Sequence, residues 1–177
     1  MKKKVFSLLL ASAVSMTSIS AIANTALTKE DNEALSWVIQ LDKNEITASK
    51  ETLKKSKDAQ VRGFANLMIK QHGANLKDTL SMNPKLSKKP VETKDTEMLK
   101  EHGQELMKTL SSLKGKEYDA AYMQAMVKGH TSALETLDND FLNKVQTEKV
   151  KTHLEETRTH INHHLQEATL INEKMPA

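Results

Sequence analysis

Residues 61–76, VRGFANLMIKQHGANL, decide the fold class of this 177-residue chain. Apolar side chains recur there at the spacing of one helix face, and a histidine occupies the same face: Val61, Ala65, Met68, His72 and Leu76. Spacings of three and four residues are typical of an amphipathic α-helix with one buried stripe. The segment therefore predicts a helix that carries an ionisable side chain into a protein core.

The same pattern recurs from Thr28 onward, with few Gly or Pro residues to interrupt it. It predicts five helices, at about residues 28–56, 58–82, 93–113, 116–144 and 147–174. Thr28 is the expected N-cap of the first helix, with Asp31 as its capping partner. Residues 84–90 are expected to form an exposed loop. Because the connections are short, neighbouring helices should be antiparallel, so the predicted fold class is an all-α, antiparallel bundle of four to five helices.

The first 23 residues are predicted to be a signal peptide. Residues 1–4 are basic, residues 5–14 are apolar, and Ala21-Ile22-Ala23 has the small-x-small pattern of a cleavage site. The apolar run is too short to span a bilayer, which requires ~20 residues. Residues 24–177 would then form a single helical-bundle domain in the periplasm, without an integral membrane segment.

Removal of the predicted signal peptide also changes the charge of the chain. The 26 Lys and Arg residues exceed the 23 Asp and Glu residues by three, and Lys2, Lys3 and Lys4 account for that excess. The mature chain is thus formally neutral, and it lacks the basic surface expected of a nucleic acid-binding protein. It has no Cys, which excludes disulfides and thiolate chemistry. No hydrolase or phosphate-binding motif is present, so a binding or structural role is favoured over an enzyme.

Each predicted helix has one ionisable residue in the middle of its apolar stripe: Glu45, His72, His102, His130 and His164. Counting from the connecting turns at ~1.5 Å per residue places all five within about one helical turn of the same height. Imidazoles and a carboxylate that converge at one level can bind a metal ion. His160 lies four residues before His164 on the same face and could join this site. His153 and His163 are expected to face solvent.

These ligand types favour Zn, Cu or Fe over Mg or Ca. A carboxylate-bridged di-iron centre is disfavoured, because its Glu-x-x-His pattern is absent: Ile69, Val127 and Ile161 stand three residues before the histidines. Three methionines could add Cu⁺ ligands or simply fill the core: Met68, Met123 and Met126. The alternative to a metal protein is a non-metal envelope module that acts through protein contacts, with its histidines either hydrogen-bonded in the core or changing their charge near neutral pH.

Three glycines adjoin the histidines of the predicted layer: Gly73, Gly103 and Gly129. A glycine inside a helix costs ~1 kcal/mol relative to Ala, so its presence requires a reason or a tolerant position. Either the helices approach closely or bend around this layer, or the glycines lie on surfaces that tolerate them.

Several motifs resemble those of a family of exported bacterial proteins, which is catalogued as a domain of unknown function and often labelled as outer membrane proteins. The matching residues are Asn44-Glu45-Ile46, the segment from Phe64 to His72 with Asn75-Leu76, Tyr118-Asp119, Tyr122, Met126-Val127, His130, His164-Leu165 and Ala168. The resemblance implies export and a ferritin-like helical bundle, and it includes Glu45 and three histidines but not His102. Gln71 stands where the family usually has an acidic residue, and the Pro common early in the last helix is missing.

Overall fold

The computed structural model describes residues 26–175, which form an all-helical bundle. Its α-helices are α1 (Lys29–Lys55), α2 (Ala59–Met82), α3 (Lys94–Ser112), α4 (Gly115–Thr136) and α5 (Glu148–Asn172). The five predicted helices are confirmed in order and approximate position. Two details differ: Pro84–Ser87 forms a 3₁₀ turn, and a π-helical turn at Leu137–Phe141 replaces the end of the predicted fourth helix. The predicted signal peptide, residues 1–23, lies outside the described residues.

The start of α1 forms the predicted capping box and also holds the start of α5. The Thr28 hydroxyl accepts from the Asp31 amide at 3.1 Å, and the Asp31 carboxylate accepts from the Thr28 amide at 2.9 Å. The same carboxylate accepts from the Gln146 amide and from the amide and hydroxyl of Thr147. We call these four residues the Asp31 clasp. Burial acts to raise the pKa of Asp31, but the hydrogen bonds outweigh burial and hold this pKa at about 2.

Four helices, α1, α2, α4 and α5, form the inner bundle, and their neighbours are antiparallel as predicted. Asn83 at the end of α2 donates to Asn32 at the start of α1. The late α1 hydroxyl of Thr52 lies 2.9 Å from that of Tyr118 at the start of α4. Arg158 of α5 forms a bidentate ion pair with Asp138, just beyond α4.

Helix α3 lies outside this inner bundle and runs parallel to α1. Among the hydrogen bonds that connect the two segments, three join partners 55 residues apart: Val91 to Ser36, Asn44 to Leu99 and Lys55 to Leu110. A constant offset requires two chain segments to run in the same direction. The same offset places His102 level with Thr47, and both side chains are exposed. The prediction that His102 faces the core is therefore wrong: its height is right, but α3 covers the outside of α1.

Only one of the three glycines beside the histidine layer marks a close helix approach. A Cβ atom at Gly103 would lie 2.6 Å from the Asn44 side chain, so α3 packs closely on α1 there. A Cβ at Gly73 would meet nothing within 4 Å, and one at Gly129 would make only an ordinary contact with Glu45.

The apolar core consists of two clusters. The Trp37 cluster includes the early part of α1, the end of α4 and the early part of α5, with Val38, Leu41, Ala133, Leu137, Leu154 and Ile161 among its members. The Tyr122 cluster includes the end of α1, the start of α2, the start of α4 and the end of α5, with Ala48, Phe64, Met68, Tyr122, Met126 and Ala168. Along every inner helix, the chain passes from one cluster to the other through a buried ionisable residue.

Candidate metal centre

Three histidines from three different helices meet in the layer between the two apolar clusters. They are His72 of α2, His130 of α4 and His164 of α5, and all three are buried. Their ring centroids are 5.0 to 5.9 Å apart. One ring nitrogen from each histidine lies within 4.8 Å of the other two, which is close enough for the three to hold one metal ion. We call these three residues the histidine cluster.

A hydrogen bond outside the cluster orients each of these imidazoles. His72 Nδ1 lies 2.8 Å from Asp42 Oδ1, His130 Nδ1 lies 2.8 Å from the Met126 carbonyl, and His164 Nε2 lies 2.5 Å from Gln71 Oε1. A carbonyl or carboxylate oxygen accepts, so each of these nitrogens carries the proton. The other nitrogen of each neutral ring then carries a lone pair, as metal-binding histidines require.

The lone-pair nitrogens have no partner in the part of the chain that the structure describes. Among residues 26–175, five buried side-chain atoms lack a hydrogen bond: His72 Nε2, His130 Nε2, His164 Nδ1, Glu45 Oε2 and Asp119 Oδ1. Buried polar atoms are nearly always paired, and each unpaired one costs about 1–3 kcal/mol. Four of the five belong to residues that the sequence predicted as metal ligands, so the unpaired atoms concentrate in one layer.

Glu45 lies in the same layer but not within the histidine cluster. Its side chain is buried, and its negative charge acts to raise the pKa of both His72 and His130, so it lies near these two rings. The three mutually close ligand atoms do not include a Glu45 oxygen. Glu45 therefore lies beside His72 and His130, and within the described residues one of its carboxylate oxygens is unpaired.

Burial keeps the three imidazoles neutral. It is the largest cause that lowers the pKa of each ring. For His164 the neighbouring His72 and His130 add to burial, and the pKa falls to about 2. A metal ion binds the neutral form of histidine, so the cluster carries its ligand atoms in the form that a metal requires.

Asp42 is the positioning residue of His72. It is fully buried, and besides contacting His72 it accepts from the Asn75 amide with both carboxylate oxygens. Burial raises the pKa of Asp42, and the Asn75 hydrogen bond opposes that rise. Thr157 of α5 donates to Asn75 in turn at 3.0 Å, so this network connects three helices. Carboxylate–histidine pairs of this kind fix the orientation of metal-binding imidazoles.

Sequence reasoning missed both side chains that orient the cluster. Asp42 gives a usable signal, because it lies three residues before Glu45 and so shares the buried face of α1. Gln71 gives no such signal: only the packing of α2 against α5 brings its amide to His164. Gln71 is uncharged, and it serves as a hydrogen-bond acceptor at the position where an acidic residue was expected.

The remaining histidines fall into two groups. His102, His160 and His163 are exposed. The prediction for His163 is confirmed, but the solvent exposure predicted for His153 is wrong. His153 is buried between α2 and α5, and its Nε2 lies 2.8 Å from the Thr79 hydroxyl. The three methionines of the layer pack in the Tyr122 cluster as core residues: Met68, Met123 and Met126.

Comparison with known proteins identifies the family. The family model described as Domain of unknown function (DUF4142) matches residues 16–171. This chain belongs to that family. The predicted membership of a family of unknown function is therefore confirmed, whereas a ferritin-like relationship stays a prediction. No curated protein matches the chain.

A solved structure with a similar fold comes from Streptomyces coelicolor, and that protein is described as secreted and as DUF305. The two share 12% sequence identity with a TM-score of 0.63, over 78% of this chain and 89% of the other. At this identity the likeness concerns the fold alone, and it supports the all-α architecture. Within residues 26–175, no helix combines the length and hydropathy needed to cross a membrane.

Proposed function

We propose that this protein is an exported, periplasmic helical-bundle protein that binds one transition-metal ion through His72, His130, His164 and Glu45. The single observation that carries the proposal is the set of four unpaired, buried polar atoms in one layer of the core. A bound cation would give all four a partner and offset about 1–3 kcal/mol for each. Folding alone provides no reason to leave them unpaired next to one another.

The donor set favours Zn²⁺, Cu²⁺ or Fe²⁺ as the ion. Three imidazoles with one carboxylate are typical ligands for these metals, whereas Mg²⁺ and Ca²⁺ prefer oxygen ligands. The three nitrogens lie within 4.8 Å of one another, which fits a single ion. Metal handling or stress tolerance in the bacterial envelope is the role that suits such a centre.

Two observations support export. The N-terminal sequence has the pattern of a cleavable signal peptide, so a single domain spanning residues 24–177 would reach the periplasm. The structural neighbour from Streptomyces coelicolor is described as secreted. The rival function, a non-metal envelope module with core histidines, accounts for the one hydrogen bond that each imidazole makes, but within the described residues it leaves the second nitrogen of each ring without a partner.

Metal analysis of the purified protein tests the proposal. After treatment with a chelator, the protein should take up one equivalent of Zn²⁺, Cu²⁺ or Fe²⁺, measured by elemental analysis. At 100 times Kd, binding adds about 2.7 kcal/mol of stability, which for a domain of this size raises Tm by about 5–10 °C. If no stoichiometric metal is taken up and none of the three ions changes Tm, the proposal is wrong.

Two adjacent histidines of α5 provide a matched pair for this experiment. His164 is buried in the cluster, whereas His163 is exposed. His164→Ala should weaken metal binding by at least about 100-fold, because it removes a ligand atom. His163→Ala should leave the affinity unchanged. Equal losses in both variants would show that binding occurs at exposed histidines instead of in the core.

A further inference from the structure

A narrow crevice between α2 and α5 connects the histidine cluster with the protein surface. Its volume is about 10 Å³, and its lining includes His72 and His164 from the cluster. His160 also lines it, and this side chain is exposed to solvent. The third histidine, His130, does not line the crevice. The crevice is thus an opening through which two of the three proposed ligands can be reached.

The size of the crevice restricts what can pass. A volume of about 10 Å³ holds roughly one water molecule, so a metal ion cannot pass with its full hydration shell. An ion that enters must exchange water ligands for protein ligands on the way. An imidazole at the mouth of the crevice would supply the first of these.

His160 stands in the right place for that exchange. It lies one helical turn before His164 on α5, and residues four apart share a helix face. Its charge contributes to lowering the pKa of both His72 and His164, which indicates that it lies near both rings. It is not one of the three mutually close ligands.

We propose that the metal ion enters through this crevice, and that His160 binds the ion first and transfers it to His164 and His72. His160 is then a transfer ligand, and it leaves the ion once the inner ligands have replaced it. Each transfer exchanges one ligand for another, without redox change. This inference rests on the proposed function, since it requires that the histidine cluster binds a metal.

Metal exchange kinetics of the full protein test the proposal. The apoprotein is mixed with a complex of Zn²⁺ and a chromophoric indicator, and release of the indicator gives the rate of uptake. The reverse rate follows from transfer of Zn²⁺ to excess chelator. His160→Ala should slow uptake and loss by roughly the same factor, about tenfold, and leave Kd within about twofold. Both rates fall together because entry and exit pass the same barrier.

Two further variants complete the design. His163→Ala, at an exposed histidine that does not line the crevice, should change neither rate. His160→Asp should restore fast exchange, because a carboxylate also binds Zn²⁺. Unchanged rates in His160→Ala would overturn the entry route. A large loss of affinity in that variant would overturn the transfer role and make His160 a ligand of the bound state. Failure of the unaltered protein to bind Zn²⁺, Cu²⁺ or Fe²⁺ would instead refute the proposed function itself.

Discussion

The Asp31 clasp and the histidine cluster are both buried and polar, but their hydrogen bonding differs. The Asp31 carboxylate accepts four hydrogen bonds, from Thr28, Gln146 and twice from Thr147. In the histidine layer, four buried atoms have no partner within the described residues. Folding accounts fully for the clasp, because every hydrogen bond that the carboxylate needs comes from the chain. The histidine layer lacks such partners, and this difference separates a structural cluster from a candidate binding site.

The opposite directions of the pKa changes reflect the same contrast. At Asp31, hydrogen-bond donors stabilise the charged form in spite of burial, and its pKa falls from 3.8 to about 2. At the histidines, burial opposes the charged form, and the rings stay neutral with free lone pairs. A site that binds a cation needs neutral imidazoles. A site that connects the N-termini of two helices is stabilised by a charged carboxylate.

The largest effect is expected when the clasp is broken. Asp31→Asn removes a carboxylate group, and the pKa of this group is lowered from 3.8 to about 2. That shift corresponds to about 2–3 kcal/mol, which the free energy of unfolding should lose at pH 7. Urea unfolding measures this loss. Metal affinity should be unchanged, because the clasp does not contact the histidine cluster.

The pH dependence of unfolding provides the control for this variant. A carboxylate with a lowered pKa stabilises the fold above about pH 4, and this contribution disappears as the pH falls from about 4 to 2. Asp31→Asn should lack this component of the acid transition. Asp138→Asn, at an exposed ion pair, should cost no more than about 1 kcal/mol. Equal losses in the two variants would show that the clasp does not stabilise more than a surface pair.

A second variant, Asp42→Asn, removes the carboxyl group that orients His72. Loss of an outer partner typically lowers metal affinity by about 10–100-fold, or about 1.4–2.7 kcal/mol. Competition with an indicator of known Zn²⁺ affinity measures the change. Asp138→Asn serves again as the matched control, and it should bind Zn²⁺ as the unaltered protein does. An affinity that stays constant in Asp42→Asn would contradict the positioning role of Asp42.

The third variant, His130→Leu, is expected to raise the stability of the metal-free protein, whereas Asp31→Asn lowers it. His130 makes its one side-chain hydrogen bond to a carbonyl of its own helix, and its other ring nitrogen is unpaired. His130→Leu replaces the imidazole with an apolar side chain of similar size, so the unpaired nitrogen is removed. The metal-free protein should therefore gain about 1 kcal/mol of stability. The same variant should lose the rise in Tm on metal addition. A less stable metal-free variant would show that His130 belongs to the packing of the core.

The smallest effect is expected at the glycine that follows His72. A Cβ at Gly73 meets nothing within 4 Å, so Gly73→Ala should raise the free energy of unfolding by about 0.5–1 kcal/mol through helix propensity. Gly103→Ala is the matched variant. It should lower this free energy, because the new Cβ would lie 2.6 Å from the Asn44 side chain and would force it away from its hydrogen bond with the Leu99 carbonyl. Thermal melts of both variants measure the two signs. A loss of stability in Gly73→Ala would mean that the backbone beside His72 needs glycine.

The sequence alone determined the class of fold and the height of the proposed ligands. Apolar residues at helical spacing form one face of each helix, and this face is stabilised when it is buried against neighbouring helices. The rise per residue is constant, so counting from the turns placed Glu45, His72 and His130 near one level. The Thr28–Asp31 capping box was equally predictable, because both of its residues are close in the sequence.

Only the tertiary structure decided which side chains at that level meet. His102 stands at the predicted height, yet α3 lies outside α1 and leaves this residue in solvent. His153 was expected in solvent, but the contact between α2 and α5 buries it. The Gln71 amide reaches His164 across the same contact. Periodicity specifies which face of a helix is apolar, but it does not specify which neighbour that face meets. Among the described residues, the packing of the helices therefore determined which buried polar atoms have partners and which five do not.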